Sequence, residues 1–181
     1  SVVFILQERR CKVNQQLIIF EGPDMCGKTE ISHAVSERLG VPVYKSGREH
    51  DLFHDKDAQY LTLKYGNYEM IKLLETTGAN VIFDRFFPSE WVYSQVYDRT
   101  RDLDLVMEFD KYWASLGGKI VWLDKLEMDG EDELIENDRY NQIREKYQQY
   151  MSMTNCEVYH LDTSDHDLEN QVNKICNFLQ G

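Results

Sequence analysis

No apolar run in this chain of 181 residues approaches the ~18 residues of a membrane span. The longest one near the start, Val2-Val3-Phe4-Ile5-Leu6, is too short for a signal-peptide core and is followed by charge. A membrane protein is thereby disfavoured. Cysteine is sparse: Cys11, Cys26, Cys156 and Cys176 stand far apart, without metal-ligand spacing, so reduced thiols and a cytoplasmic setting are expected. Positive charge is short as well, with 20 Lys and Arg against 32 Asp and Glu for a net charge of −12. That balance argues against wide contact with nucleic-acid phosphates, which draws on clustered cations. Repeats, low-complexity tracts and interdomain linkers are missing too, and the expectation is one domain over residues 1–181.

What is present is concentrated in residues 17–30. Leu17-Ile18-Ile19-Phe20 reads as a central strand and runs through Glu21 into Gly22-Pro23-Asp24-Met25-Cys26-Gly27-Lys28-Thr29, a complete GxxxxGK[ST] loop. The glycines allow backbone N–H groups to turn around an anion, and the next helix N-terminus adds partial positive charge. Lys28 reaches terminal phosphates, and the Thr29 hydroxyl suits Mg²⁺. Ile31, Ala34, Val35 and Leu39 then recur at helical spacing until Gly40. Cys26 lies near that helix N-terminus, where a thiol pKa can fall, but a small residue tolerated in the loop is the simpler reading.

Further along, strands are expected at 41–44, 80–83, 119–123 and 157–161, and helices where apolar residues recur at helical spacing. Leu61, Tyr65, Tyr68 and Ile71 form one such face; Ser89 to Tyr97 is a helix; Val106, Phe109, Trp113 and Leu116 mark another before Gly117-Gly118. Tyr140, Ile143, Tyr147 and Tyr150 follow an acidic loop, and Leu168, Val172, Ile175, Cys176 and Leu179 close the chain, with Thr163, Ser164 or Asp165 as N-cap. Residues 1–16 read as a lead or an extra strand. The alternation gives an α/β three-layer sandwich of the P-loop NTPase type, with a five-stranded parallel sheet flanked by helices. Gly22, Asp84 and Asp124 follow the apolar parts of their strands and should meet at one sheet edge.

The run Asp84-Arg85-Phe86-Phe87-Pro88-Ser89-Glu90-Trp91-Val92-Tyr93-Ser94-Gln95 resembles the DR(Y/F/H)xxS signature of thymidylate kinases. Phe20-Glu21-Gly22-Pro23-Asp24 with Gly27-Lys28-Thr29 resembles their FEGxDxxGKT loop. The resemblance implies that loop amides from Gly22 to Thr29 and Lys28 hold ATP phosphates, while Thr29 and, through water, Asp84 hold Mg²⁺. It implies that Arg85 grips the acceptor phosphate, that Asp24 meets the sugar 3′-hydroxyl, and that Ser89 and Tyr93 line the acceptor pocket with Lys64 near its phosphate. Lys28, Arg85 and Asp84 are then the catalytic set. The family's dimers point to helices 54–77 and 89–97 as the interface of a homodimer. Membrane and nucleic-acid partners are not expected, only a small nucleotide substrate.

The pattern also departs from the family. Met25 stands where a loop arginine would, and residues 125–137 make an acidic lid-like loop in place of a basic one: seven acids and no base lie between 127 and 138. Lys125 and Arg139 flank it as lid candidates, with Arg99 or Arg101 as substitutes. Lys45 and Arg48 could contact phosphate, and Tyr60 is a rough counterpart of the base-stacking phenylalanine. The expected activity is ATP- and Mg²⁺-dependent phosphorylation of a deoxynucleoside monophosphate, most similar to thymidylate. The alternatives are a deoxynucleoside kinase with Glu49 or Asp84 as base and a kinase acting on a hydroxyl of a larger nucleic-acid substrate.

Overall fold

The computed structural model describes residues 15–45, 60–99, 102–126 and 137–181. Five strands, β1 (Leu17–Glu21), β2 (Val43–Lys45), β3 (Val81–Asp84), β4 (Lys119–Asp124) and β5 (Glu157–Asp162), form one sheet in the order β2-β3-β1-β4-β5. All pairings are parallel. Central position explains the continuous apolar runs: β1 and β3 are buried throughout because helices cover both faces.

Alternation along each strand sorts side chains between two cores. Leu17, Ile19, Phe83 and Ile120 face one layer, made of α2 (Asn67–Thr77), α3 (Phe87–Val96), α4 (Leu103–Ser115) and α5 (Asn137–Met153). Ile18, Phe20, Ile82 and Val121 face the other, α1 (Lys28–Leu39) and α6 (Leu168–Gln180). Burying each such Ile, Leu or Phe contributes about 1.5–3 kcal/mol. Gly118 lets β4 begin against the ring of Trp113, where an added Cβ would lie 2.3 Å from the indole.

Two expectations are corrected. The stripe Leu61, Tyr65, Tyr68, Ile71 is not a buried face: Tyr65 is 58% and Tyr68 47% exposed, and the buried positions are Ile71 and Leu74. A π turn at Thr62–Gly66 adds a residue to the helical repeat and rotates the aromatic positions outward. The N-cap of α6 is Asp167, which accepts from Asn170 N–H at 3.0 Å, rather than Thr163, Ser164 or Asp165. Before β1, Gln15 and Gln16 form no strand. They tie to the α2–β3 turn instead, Gln15 donating to Leu74 O and Ala79 O, while Val81 N–H donates to Gln16 O at 2.9 Å. Arg48, Glu49, Arg101, the acidic residues 127–136 and the lead before residue 15 lie outside the described residues. No helix among the described residues is long and apolar enough to cross a membrane.

Candidate active site

The carboxyl edge of the sheet gathers the residues that carry chemistry. β1 ends at Glu21, and the loop turns at once through Gly22 with φ 146. A Cβ there would sit 2.0 Å from Leu123 O of β4, so glycine is required for the loop to lie against the sheet edge. At the other end α1 starts on Gly27 without a side-chain cap, which leaves its first-turn N–H groups directed into the loop. Lys28 is buried, and its Nζ donates to the Pro23 carbonyl across the loop. Burial, reinforced by the nearby Arg85 charge, lowers its pKa to about 8.

Two groupings bring candidate residues together. Thr29 Oγ1 donates to Asp84 Oδ2 at 2.8 Å, joining the start of α1 to the end of β3. Asp84 is 3% exposed, and its Oδ2 also lies 3.9 Å from Nζ of the largely exposed Lys45. A hydroxyl beside a buried carboxylate is a hard-oxygen donor set suited to Mg²⁺, which takes its remaining ligands from phosphate and water. Arg85 is the other. It adopts φ 68, its N–H donates to Phe20 O at 3.0 Å, and the side chain folds back into the site. Nη2 donates to Asp24 Oδ1 at 2.5 Å, and Nη1 donates to the Tyr93 hydroxyl at 2.9 Å and the Tyr147 hydroxyl at 3.1 Å. Burial alone would disfavour its charge, but Tyr147, Tyr93, Glu21 and Asp24 more than compensate and hold its pKa above the ordinary value. The Tyr93 hydroxyl, pushed up to about 12 chiefly by burial, is thus a partner of Arg85 and not merely packing.

Ser89 enters through a residue that the motif contained but to which no role was assigned. Glu21, wholly buried, accepts from Phe86 N–H at 2.9 Å, Ser89 Oγ at 2.7 Å and Tyr147 Oη at 2.8 Å. Burial raises its pKa, and Arg85 with these donors opposes the rise. A carboxylate closing an apolar strand was the available signal. Arg144 was also missed: its Nε donates to both oxygens of Asp124, at 2.9 and 2.8 Å, and Asp124 is 1% exposed. The signal lay in helical spacing, since Tyr140, Arg144 and Tyr147 share one face of α5. Tyr140 Oη lies 3.6 Å from Cys26 Sγ, Arg144 holds Asp124, and Tyr147 reaches Glu21 and Arg85. One helix face therefore spans the phosphate loop and the Arg85 cluster.

Other expected residues fall elsewhere. Cys26 is buried and its thiol pKa is raised by desolvation, so it is not an activated nucleophile. Met25, half-exposed at φ 67, sits at the loop's outer turn. Lys64 lies in the π turn, 5.7 Å from the Tyr65 ring, and no hydrogen bond or ion pair joins it to Arg85 among the described residues. Lys125 is buried directly after Asp124, while Arg139 lies over the Tyr97 ring at 5.2 Å. Among the described residues no three His, Cys, Asp or Glu gather as a metal cluster.

A P-loop after β1, an Asp-Arg pair ending β3 and this strand order define the fold of the P-loop nucleoside and nucleotide kinases. No family model matches the chain. It is similar to the SPbeta prophage-derived protein YorR of Bacillus subtilis strain 168, 28% identical over 161 residues that cover 81% of this chain and 88% of that protein. A crystal structure of Bacillus subtilis YorR in complex with phosphorylated GDP superposes with a TM-score of 0.66 at 25% identity, covering 91% of this chain and 96% of that one. Thymidylate kinase from Ehrlichia chaffeensis (TM-score 0.61, 19% identity, 92% and 99% covered) shares the fold. So does Mycoplasma mycoides deoxyadenosine kinase with bound dATP (0.61, 17%, 92% and 100%). The neighbours named as kinases, one of a nucleotide and one of a nucleoside, share this fold.

Proposed function

We propose that the protein transfers the γ-phosphoryl group of ATP, with Mg²⁺, to the 5′-phosphate of a deoxynucleoside monophosphate of the thymidylate type. The observation that carries this reading is the Arg85–Asp24 contact at 2.5 Å. It ties the end of β3 to the phosphate loop and so sets a cation for the acceptor beside the donor site. The acceptor oxygen attacks the γ-phosphorus, the bond to the β,γ-bridging oxygen breaks, and ADP leaves without a covalent intermediate. Such a reaction asks the protein for positioning and charge.

Lys28 and the loop amides hold the donor phosphates. Thr29 and Asp84 hold Mg²⁺, which when bound neutralises phosphate charge. Arg85 holds the acceptor phosphate, Asp24 its 3′-hydroxyl, and Tyr93 lines the pocket. Ser89 acts through Glu21, which fixes the turn that carries Arg85. The cation absent from the loop is Arg144: on α5 it stands between Tyr140, which touches the loop, and Tyr147, which touches the acceptor cluster. Arg144 takes precedence over Lys125 and Arg139 in that role. The exposed Tyr65, Tyr68 and Leu73 favour a homodimer through α2 and the π turn before it, and reduced thiols suit a cytoplasmic enzyme.

Incubation with ATP, Mg²⁺ and a panel of deoxynucleoside monophosphates and deoxynucleosides tests the reading. At least one monophosphate should yield its diphosphate. Turnover of nucleosides alone would support the deoxynucleoside kinase alternative and overturn this one, as would no turnover at all.

A further inference from the structure

Two basic side chains approach one buried carboxylate. Asp124 ends β4, and Arg144 from α5 donates its Nε–H to both carboxylate oxygens. Nε2 of His160, on the neighbouring strand β5, lies 3.6 Å from Oδ2 of the same group. That gap is too wide for a hydrogen bond and closes with a small shift of the ring. Strand register explains the approach. β4 and β5 run parallel with Trp122 opposite His160 and Asp124 opposite Asp162. The imidazole lies flat on the Trp122 ring, with centroids 4.0 Å apart and planes within 15°. Its side chain is 44% exposed, so water reaches it and protons exchange, whereas Asp124 is closed to solvent.

The charged groups around the imidazole are few. They are Asp124 of β4, Arg144 of α5 through that carboxylate, and Asp162 two positions along β5 itself. Asp162 is engaged elsewhere, accepting from Leu126 N–H and from the N–H and hydroxyl of Ser164. With the imidazole neutral, Asp124 and Arg144 sum to zero charge. The guanidinium is then cancelled at close range by a carboxylate kept from water, where screening is weak. Imidazoles take up a proton between pH 8 and pH 5. A charged His160 brings the trio to one net positive charge and competes for Oδ2. The Trp122 face beneath it attracts that charge. Arg144 is thereby held less firmly by Asp124 and is freer to attract phosphate.

We propose that His160 is a positioning residue that sets, through Asp124, how much of the Arg144 charge reaches the donor phosphates. Neutral, it leaves the guanidinium cancelled; protonated, it shares Asp124 and returns the guanidinium to the nucleotide. Donor binding and turnover then rise as the medium becomes mildly acidic. This rests on the assignment of Arg144 as the cation absent from the phosphate loop. His160 touches no reacting atom and passes no proton to substrate.

The test is calorimetric titration of the full chain with Mg²⁺ and the non-hydrolysable β,γ-imido analogue of ATP, at about pH 6 and about pH 7.5, a span in which imidazole titrates. Wild type is compared with H160Q, H160K, R144M and the H160K/R144M double variant. The ratio of affinities at the two pH values should be about fivefold larger in wild type than in H160Q, a comparison that removes protonation of the nucleotide itself. H160K, whose charge does not titrate in this span, should bind at the acidic wild-type level at both. In the R144M background H160K should add nothing, because the effect passes through Arg144. A merely structural His160 would leave the pH ratio of H160Q equal to that of wild type, and that result overturns the proposal. A gain from H160K that persists without Arg144 overturns it too, since the charge would then act on the phosphates directly. Should H160K fail to fold, the H160Q ratio decides. Because nucleotide binding is read directly, absence of turnover with every acceptor would sink the proposed reaction without touching this result.

Discussion

Tyr147 donates a hydrogen bond to the wholly buried Glu21 at 2.8 Å and accepts one from Arg85 at 3.1 Å, so a single hydroxyl on α5 joins the end of β1 to the arginine that follows β3. Removing it should show in both stability and catalysis. Tyr147→Phe leaves a buried carboxylate one donor short, at a cost of about 1–3 kcal/mol. Denaturant unfolding should record that loss. The KM for the acceptor should rise more than the KM for ATP, because Arg85 loses one of the groups that orient it.

Gly22→Ala should abolish ATP binding. A Cβ 2.0 Å from Leu123 O, on a residue at φ 146, forces the loop off the sheet edge. Calorimetric titration with ATP should give no heat of binding, while far-ultraviolet circular dichroism keeps the α/β signature.

Lys28 gives a pH dependence with a defined sign. Its folded pKa is lowered from 10.5 to about 8, so between pH 8 and 10.5 the native state binds fewer protons than the unfolded chain. Stability therefore rises through that window as far as this group is concerned, because a charge buried at cost is released. ATP phosphates favour the protonated amine and reverse the trend for binding. Affinity should fall above pH 8, with proton uptake nearing one per ATP at about pH 9, measured as the buffer dependence of the binding enthalpy.

Arg144→Met should lower kcat by about 10³-fold, the low end of the range for arginines that stabilise phosphoryl transfer. Steady-state kinetics at saturating ATP checks it. A fall in affinity with kcat kept would instead place Arg144 in ground-state binding.

Asp110 provides the structural contrast. It accepts from Tyr150 Oη at 2.7 Å, Asn155 N–H at 2.7 Å and Asn155 Nδ2 at 2.9 Å, deep between α4 and the end of α5. Asp110→Ala strands these donors and should cost about 3 kcal/mol or more, read from the unfolding midpoint. The kcat per folded molecule should be unchanged.

The phosphate loop and the Asp84-Arg85 pair were legible because each is local: a strand, a fixed spacing and a turn bring the groups to one edge. The five-stranded parallel sheet was legible through the alternation of strands and helices, though not the order of its strands. Arg144 and the role of Glu21 were not, since both depend on α5 laying its face across the site, with Tyr147 126 positions from Glu21 and Arg144 20 from Asp124, which spacing within α5 hints at but does not aim. The aromatic stripe from Leu61 misled because a π turn changes the repeat, and sequence carries little mark of that.

The central claim is most directly tested by following the label from ATP labelled at the γ-phosphate, mixed with excess enzyme, Mg²⁺ and a deoxynucleoside monophosphate. The account predicts label in the β-position of the deoxynucleoside diphosphate within a single turnover, lost when Arg85 is replaced by Ala. Label appearing only as inorganic phosphate, or only on a nucleoside 5′-hydroxyl, would contradict it.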